Sequence, residues 1–502
     1  MGVLRQDVKE DSAGQGACGL HEVLFSQQGV RVAGLLFVVF LLVYGVFLGG
    51  RERYLNIDEI RDYAGSAEAV ELYLSNGRWG LAMYRSIFPG LAPMNGVLIA
   101  GVWICFALVL QGHLLGLRDF FVRCVYGVVA LCGTLLGEHM LFANQADVFG
   151  MAIFMSTLAV WQAVEGRGVV AKIGSVLLMA WSFAVYQSLA LNVVVLFLGV
   201  LYLRAMRNET VDLWKYSLLM LKVLLPAVLL YAVCSRVAAS LPFISTAVSE
   251  HVEEYQQARF SVTSYASGDV MYLLRLVGHN VFKLSKLMLG CGLPLMSYTG
   301  CVVGLFGMVQ VCRKGEWSRG KKLWMLLLPL AILATPFLIC GVMNASAYDA
   351  ATLRTYSAAP FACAVLWVAL FPKGVHRSFA RYSIVCGLSF CVLVAAYDNQ
   401  HKNKGSLSFY SSLIRDYMLI EYEAARASAA NGGSSEPRVL LFGGEDISPF
   451  DDFSNHPFVR NVHLPTAAER QAYAEQVREL PAWPAPGSVR SVSPNTVIVN
   501  YR

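Results

Sequence analysis

The chain is short of charge. Only 15% of its 502 residues are Asp, Glu, Lys or Arg, while 56% are hydrophobic. A soluble protein of this size needs far more charge to cover its surface. Several chemical signatures are also missing. No GxSxG, HExxH or Walker pattern occurs, which removes the nucleophile-elbow hydrolases, the common zinc proteases and the P-loop NTPases. The 12 cysteines include no CxxC pair, and none follows Cys391, so neither a disulfide framework nor a structural zinc site is expected. Most of them lie in apolar blocks, where a thiol behaves as a small apolar side chain. The net charge of +6 sits largely in short loops. With no zinc finger, recognition helix or RNA-binding signature beside it, nucleic acid is not an expected partner. Residues 1–30 are mixed and polar, and the apolar run after them is long enough to span and stay, so a cleavable leader is not expected either.

What the chain does have is long apolar blocks. A bilayer core of about 30 Å takes about 20 apolar residues in a helix, and lipid offers an unpaired backbone amide no partner. Blocks of that length recur from Val32 to Ala396. They predict an α-helical polytopic membrane protein with about eleven transmembrane helices, at 31–50, 94–116, 122–140, 147–164, 170–187, 188–204, 216–238, 286–312, 323–343, 355–372 and 382–398.

Lysine and arginine set the orientation. They collect at Arg118 and Arg123, at Arg167 and Lys172, at Arg204, Arg207 and Lys215, at Arg313 to Lys322, and at Lys373 to Arg381. The loops at 138–146 and near Gln187 hold no basic residue. This places residues 1–30 in the cytoplasm and residues 31–398 in a transmembrane domain with outer segments 51–93 and 239–285. The tail then lies outside. Within it, Arg438–Gly444 reads as a buried strand, Ala467–Leu480 as a helix and Asn495–Tyr501 as a last strand, so 399–502 is expected to contain a small α/β domain.

The first outer segment carries the most chemistry. Asp58 and Glu59 lie just past the first span, Arg61 follows, and a turn at Asn76-Gly77-Arg78-Trp79 brings a second arginine with an aromatic. Chemistry on a lipid-linked substrate needs groups at headgroup depth. A carboxylate there can act as general base towards an acceptor hydroxyl, and arginine can hold a departing phosphate in bidentate fashion. The plainer reading is a solvated loop or a helix cap.

Glu138, His139 and Asp147 sit at the outer ends of two adjoining spans. The two acids suit acceptor hydroxyls, and Asp147 with Asp58 and Glu59 suits a divalent cation such as magnesium or manganese. They equally suit an ordinary border between membrane and water. Tyr186 and Gln187, with Ser188 and Asn192 nearby, suit sugar hydroxyls or hydrogen bonds between helices. Arg354, entering a later span from outside, is costly unless it meets an anion or an acid. His251, Glu253 and Glu254 read as a solvated face.

The acidic pair after the first span, Asn-Gly-Arg-Trp at 76–79, Gln145-Ala-Asp147 and the stretch Ser182–Gln187 together resemble the GtrII-type bacterial glucosyltransferases. The resemblance covers most of residues 31–400, although that family's usual Asp-Asp pair is Asp58-Glu59 here. It implies a GT-C-like helical bundle in the bacterial inner membrane. The donor would be a polyprenyl-phosphate-linked sugar, glucose by analogy, and the acceptor a lipid-linked or exported glycan such as O-antigen. It further implies Asp58 as base, Glu59 as its support or a metal ligand, and Arg61, Arg78 and Arg354 at the donor phosphate. Trp79, Glu138, Asp147, Tyr186 and Gln187 would contact substrate, and transfer would invert the anomeric carbon. A glycan polymerase or ligase, and a transporter or lipid flippase, are the alternatives. The flippase predicts charges near the bilayer midplane, whereas the acids here lie at span ends.

Overall fold

In the computed structural model the described residues are chiefly 19–48, 73–88, 93–133, 136–140, 143–207, 213–241, 319–336, 357–371, 378–434, 436–442, 462–463 and 465–501. They are mostly helical. The helices are α1 (Leu20–Leu24), α2 (Gln27–Tyr44), α3 (Trp79–Ile87), α4 (Pro93–Leu114), α5 (Phe120–Leu131), α6 (Gly137–Met140), α7 (Ala143–Glu165), α8 (Gly168–Val185), α9 (Leu189–Met206), α10 (Leu213–Ala239), α11 (Arg319–Ala334), α12 (Ala358–Val368) and α13 (Ser378–Ala430). A small sheet and helix α14 (Ala467–Arg478) complete the described chain.

Seven helices, α2, α4, α7, α8, α9, α10 and α13, contain stretches long and apolar enough to cross a membrane, and α5, α11 and α12 carry shorter apolar runs. These ten correspond in order to ten of the predicted spans. The eleventh, 286–312, lies outside the described residues. One boundary moves: the span predicted over 122–140 stops at Leu131. Gly133 packs on Pro360 too closely for a side chain. The Tyr44 hydroxyl caps the helix end, donating to the Leu131 carbonyl at 2.6 Å and lying 3.2 Å from that of Gly133. The carbonyls that a helix C-terminus leaves unpaired are thus partly satisfied from α2.

Without a hydrophobic force between helices in lipid, close packing and buried polar contacts hold them together. Gly150 of α7 rests on the Ala100 backbone of α4, where a Cβ would come within 2.7 Å. Two to three turns further along, Gln111 donates to Thr157 at 2.9 Å and accepts from Tyr126 at 2.7 Å, tying α4, α7 and α5. The helix ends fall into two sets. At one end Glu165 pairs with Arg204 at 2.6 Å, Asp119 with Arg381 at 3.6 Å, and Gln28 reaches the Arg118 carbonyl. At the other end Tyr44 meets the end of α5, and Asn399 donates to the Val43 carbonyl at 3.0 Å. This is the alternation expected of successive spans.

Helix α13 runs unbroken for 53 residues, about 80 Å, so the domain boundary expected at 398–399 falls inside it. Residues 398–404 contain neither proline nor glycine, and nothing there stops a helix. It ends in a Schellman turn: the Gly433 N–H bonds the Ser428 carbonyl, the Gly432 N–H bonds that of Ala429, and Gly432 has φ 70°. The sheet follows, in the order β2 (Val462–His463), β1 (Arg438–Phe442), β4 (Thr496–Asn500), β3 (Val489–Ser493). β1 is parallel to both β2 and β4, while β3 is antiparallel to β4. Side-chain alternation sends Val439 and Leu441 to Tyr417, Ile420 and Ala424 of α13. Leu440 and Phe442 face Val477 and Leu480, at the end of α14. Burial on both faces explains the unbroken apolar runs of β1 and β4.

Candidate functional site

Residues 73–88 form a corner. A helical turn ends at Ser75, and the Arg78 N–H bonds the Tyr73 carbonyl at 2.7 Å while the Gly77 N–H bonds that of Leu74 at 3.0 Å. With Gly77 at φ 70° this is a second Schellman turn, and it makes the glycine of Asn76-Gly77-Arg78-Trp79 a backbone requirement. The corner is clamped from two sides. Gln187 donates to the Asn76 carbonyl at 3.1 Å from the α8–α9 turn, and Ser235 of α10 donates to the Gly77 carbonyl at 3.4 Å. Helix α3 then lies against the end of α8, where Gly80 touches the Trp181 carbonyl too closely for a Cβ.

This packing brings Arg78, Trp79, Tyr186 and Gln187 together. The Arg78 guanidinium stands 5.3 Å above the Tyr186 ring, within cation–π range, and no described carboxylate pairs with it. The ring is held by His139, edge-on at 4.9 Å, and His139 stacks on Phe149 at 3.4 Å. The indole N–H of Trp79 is buried with no hydrogen-bond partner among the described residues.

Two turns along α3, the circumstances reverse. Asp147, 0% exposed, accepts from Arg85 at 3.0 Å on one oxygen and from the Tyr84 hydroxyl at 2.9 Å on the other. Burial, then the Asp147 charge, raise the Tyr84 pKa, so the phenol stays a donor. Both Asp147 oxygens are therefore engaged by protein. Among the described residues no group of three His, Cys, Asp or Glu side chains could hold a metal ion.

Asp58, Glu59, Arg61 and Arg354 lie outside the described residues, as do His251, Glu253 and Glu254. Glu138 falls in α6, and its side chain also lies outside the description. Sequence reasoning missed Arg85 and Tyr84, which are 62 and 63 positions from their partner. The available signal was Asp147 itself: an acid in the first turns of an apolar span requires a counter-ion.

The glucosyl transferase GtrII family model matches residues 47–371, which is more than half of the 502 residues and takes in the corner, α4 to α11 and α12. Comparison with curated proteins gave no match, and comparison with solved structures gave none.

Proposed function

The chain belongs to the GtrII glucosyl transferase family and is a glycosyltransferase, and from that premise we propose that it transfers glucose from a polyprenyl-phosphate donor to a surface glycan such as O-antigen. The reaction takes place on the periplasmic face of a bacterial inner membrane. The N-terminus is cytoplasmic, and the part of the chain after Asp398, the end of α13 with the sheet that follows it, lies on the periplasmic side. The acceptor hydroxyl oxygen bonds to the anomeric carbon while the bond from that carbon to the phosphate oxygen breaks. The hydroxyl proton passes to the Asp58 carboxylate, and the electron pair leaves on the polyprenyl phosphate. One displacement needs one base and a stabilised leaving group, and it inverts the centre; the carboxylate pair of a retaining hydrolase is not required. Glu59 supports the base. Arg61, Arg78 and Arg354 take the phosphate, and Trp79, Tyr186, Gln187 and Glu138 the sugar and acceptor hydroxyls.

The observation that carries this reading is Arg78. A cation that pairs with no described carboxylate, fixed on a glycine turn beside a buried indole N–H that has no hydrogen-bond partner among the described residues, suits a phosphoryl group next to a sugar. Asp147 serves as a positioning residue, through Arg85 and Tyr84. The test is transfer of radiolabelled glucose from polyprenyl phosphate glucose in membranes, comparing the wild type with Asp58→Asn and Glu59→Gln. At least one variant should lose turnover by about 100-fold or more with normal membrane insertion. Full activity in both, and in the double variant, would remove the assigned base.

A further inference from the structure

A buried polar cluster lies beside the corner, and the reaction as described leaves it unused. Helix α9 begins after Ser188 and α12 after Ser357, and neither serine caps its own helix. Instead the two hydroxyls face each other at 3.3 Å, and the Ser357 hydroxyl lies 3.5 Å from the Asn192 amide oxygen. All three residues are buried, with Ser357 at 0% and Asn192 at 8% exposure. The Asn192 amide nitrogen is buried and has no hydrogen-bond partner among the described residues.

A buried amide with two unanswered N–H groups costs stability, so its retention calls for an explanation. The surroundings define what it is built to receive. Ser357 leaves the buried first turn of α12, Ala358 and Ala359, without a side-chain cap, and Pro360 has no N–H of its own. The positive end of an 11-residue helix therefore lies at the cluster, and no described carboxylate bonds to Ser188, Asn192 or Ser357. Helix N-termini of this kind favour anionic oxygen. The Tyr186–Ser188 turn joins the cluster to the ring beneath Arg78.

We propose that Ser188, Asn192 and Ser357 form a subsite for a phosphate oxygen of the lipid-linked donor, with the Asn192 amide as its main hydrogen-bond donor. The proposal rests on the polyprenyl-phosphate reading above and assigns a second wall of the phosphate site, opposite the arginines in chemistry because it carries no formal charge. The same chemistry would accept a free phosphate, and the test separates the two.

Binding of radiolabelled polyprenyl phosphate is measured on the purified full-length protein in a polyoxyethylene detergent, with polyprenol and inorganic phosphate as competitors. Asn192→Asp keeps the oxygen that accepts from Ser357 and turns the donor into an anion. It should weaken binding at least tenfold, and Asn192→Ala should weaken it about fivefold. The competing strength of polyprenol, which has no phosphate, should be the same in the wild type and both variants. Thermal unfolding of each preparation identifies a variant that misfolds, and the other then carries the comparison. Wild-type binding with unchanged affinity in the folded variants overturns this subsite and leaves the proposed reaction standing. Wild-type protein that binds inorganic phosphate but not polyprenyl phosphate overturns the lipid donor itself.

Discussion

The two ends of helix α3 hold arginines in opposite circumstances. Arg85, 9% exposed, is locked to Asp147 across the start of α7, with the Tyr84 hydroxyl completing the pair. Arg78, at the helix start, faces an aromatic ring and no described acid. The same residue type thus does two jobs seven positions apart. One arginine is part of how the helices are held, and the other meets no carboxylate among the described residues. A buried ion pair is not there for its net stability, because desolvation offsets much of the attraction. Its value at this corner is placement: it fixes α3, and α3 fixes the turn that carries Arg78.

That contrast can be broken most severely at Asp147. Asp147→Ala leaves the Arg85 charge buried and unpaired, and should cost about 3–5 kcal/mol of stability, read from thermal or denaturant unfolding in detergent. The charge-free double variant Arg85→Met with Asp147→Leu should recover most of the loss, since the partners couple directly. Equal damage from the single and double variants would contradict the pairing.

A smaller effect is expected at Gly77. With φ 70° and the Tyr231 hydroxyl 2.9 Å from where a Cβ would sit, Gly77→Ala should cost about 1–2 kcal/mol. It should also lower transfer about tenfold by displacing Arg78. Wild-type kinetics in a destabilised Gly77→Ala protein would separate the turn from the chemistry.

How much of this was legible in the sequence depends on the length over which each signal acts. The apolar helices were, because lipid demands continuous apolar runs, and seven of the described helices are long and apolar enough to cross a membrane, with three shorter ones at the other predicted positions. The end of α5 was not, because Gly133 meets Pro360 and Tyr44 reaches Leu131 only in three dimensions. The strands at Arg438 and near the C-terminus were legible from their apolar runs, while the continuity of α13 was hidden because its apolar run stops near Asp398 and the helix goes on without it. In the site, Arg78, Trp79, Tyr186 and Gln187 were named from local motifs, and the fold brings them together. Arg85 escaped because its partner is remote in sequence and no short motif marks it. Nothing in the sequence distinguished Asn192 from an asparagine holding two helices together; the orphaned amide appears only once Ser357 is beside it.

The most direct test of the central claim is the donor KM and kcat of Arg78→Gln and Arg78→Lys, with glucose transferred from polyprenyl phosphate glucose and the unfolding temperature measured alongside. Because Arg78 is committed to no described carboxylate, stability should change by under about 1 kcal/mol, the smallest of these effects on the fold. Transfer should nevertheless fall about 100-fold in Arg78→Gln, with partial retention in Arg78→Lys, which keeps the charge and loses the fork. A folded Arg78→Gln protein with wild-type kcat/KM would contradict the account.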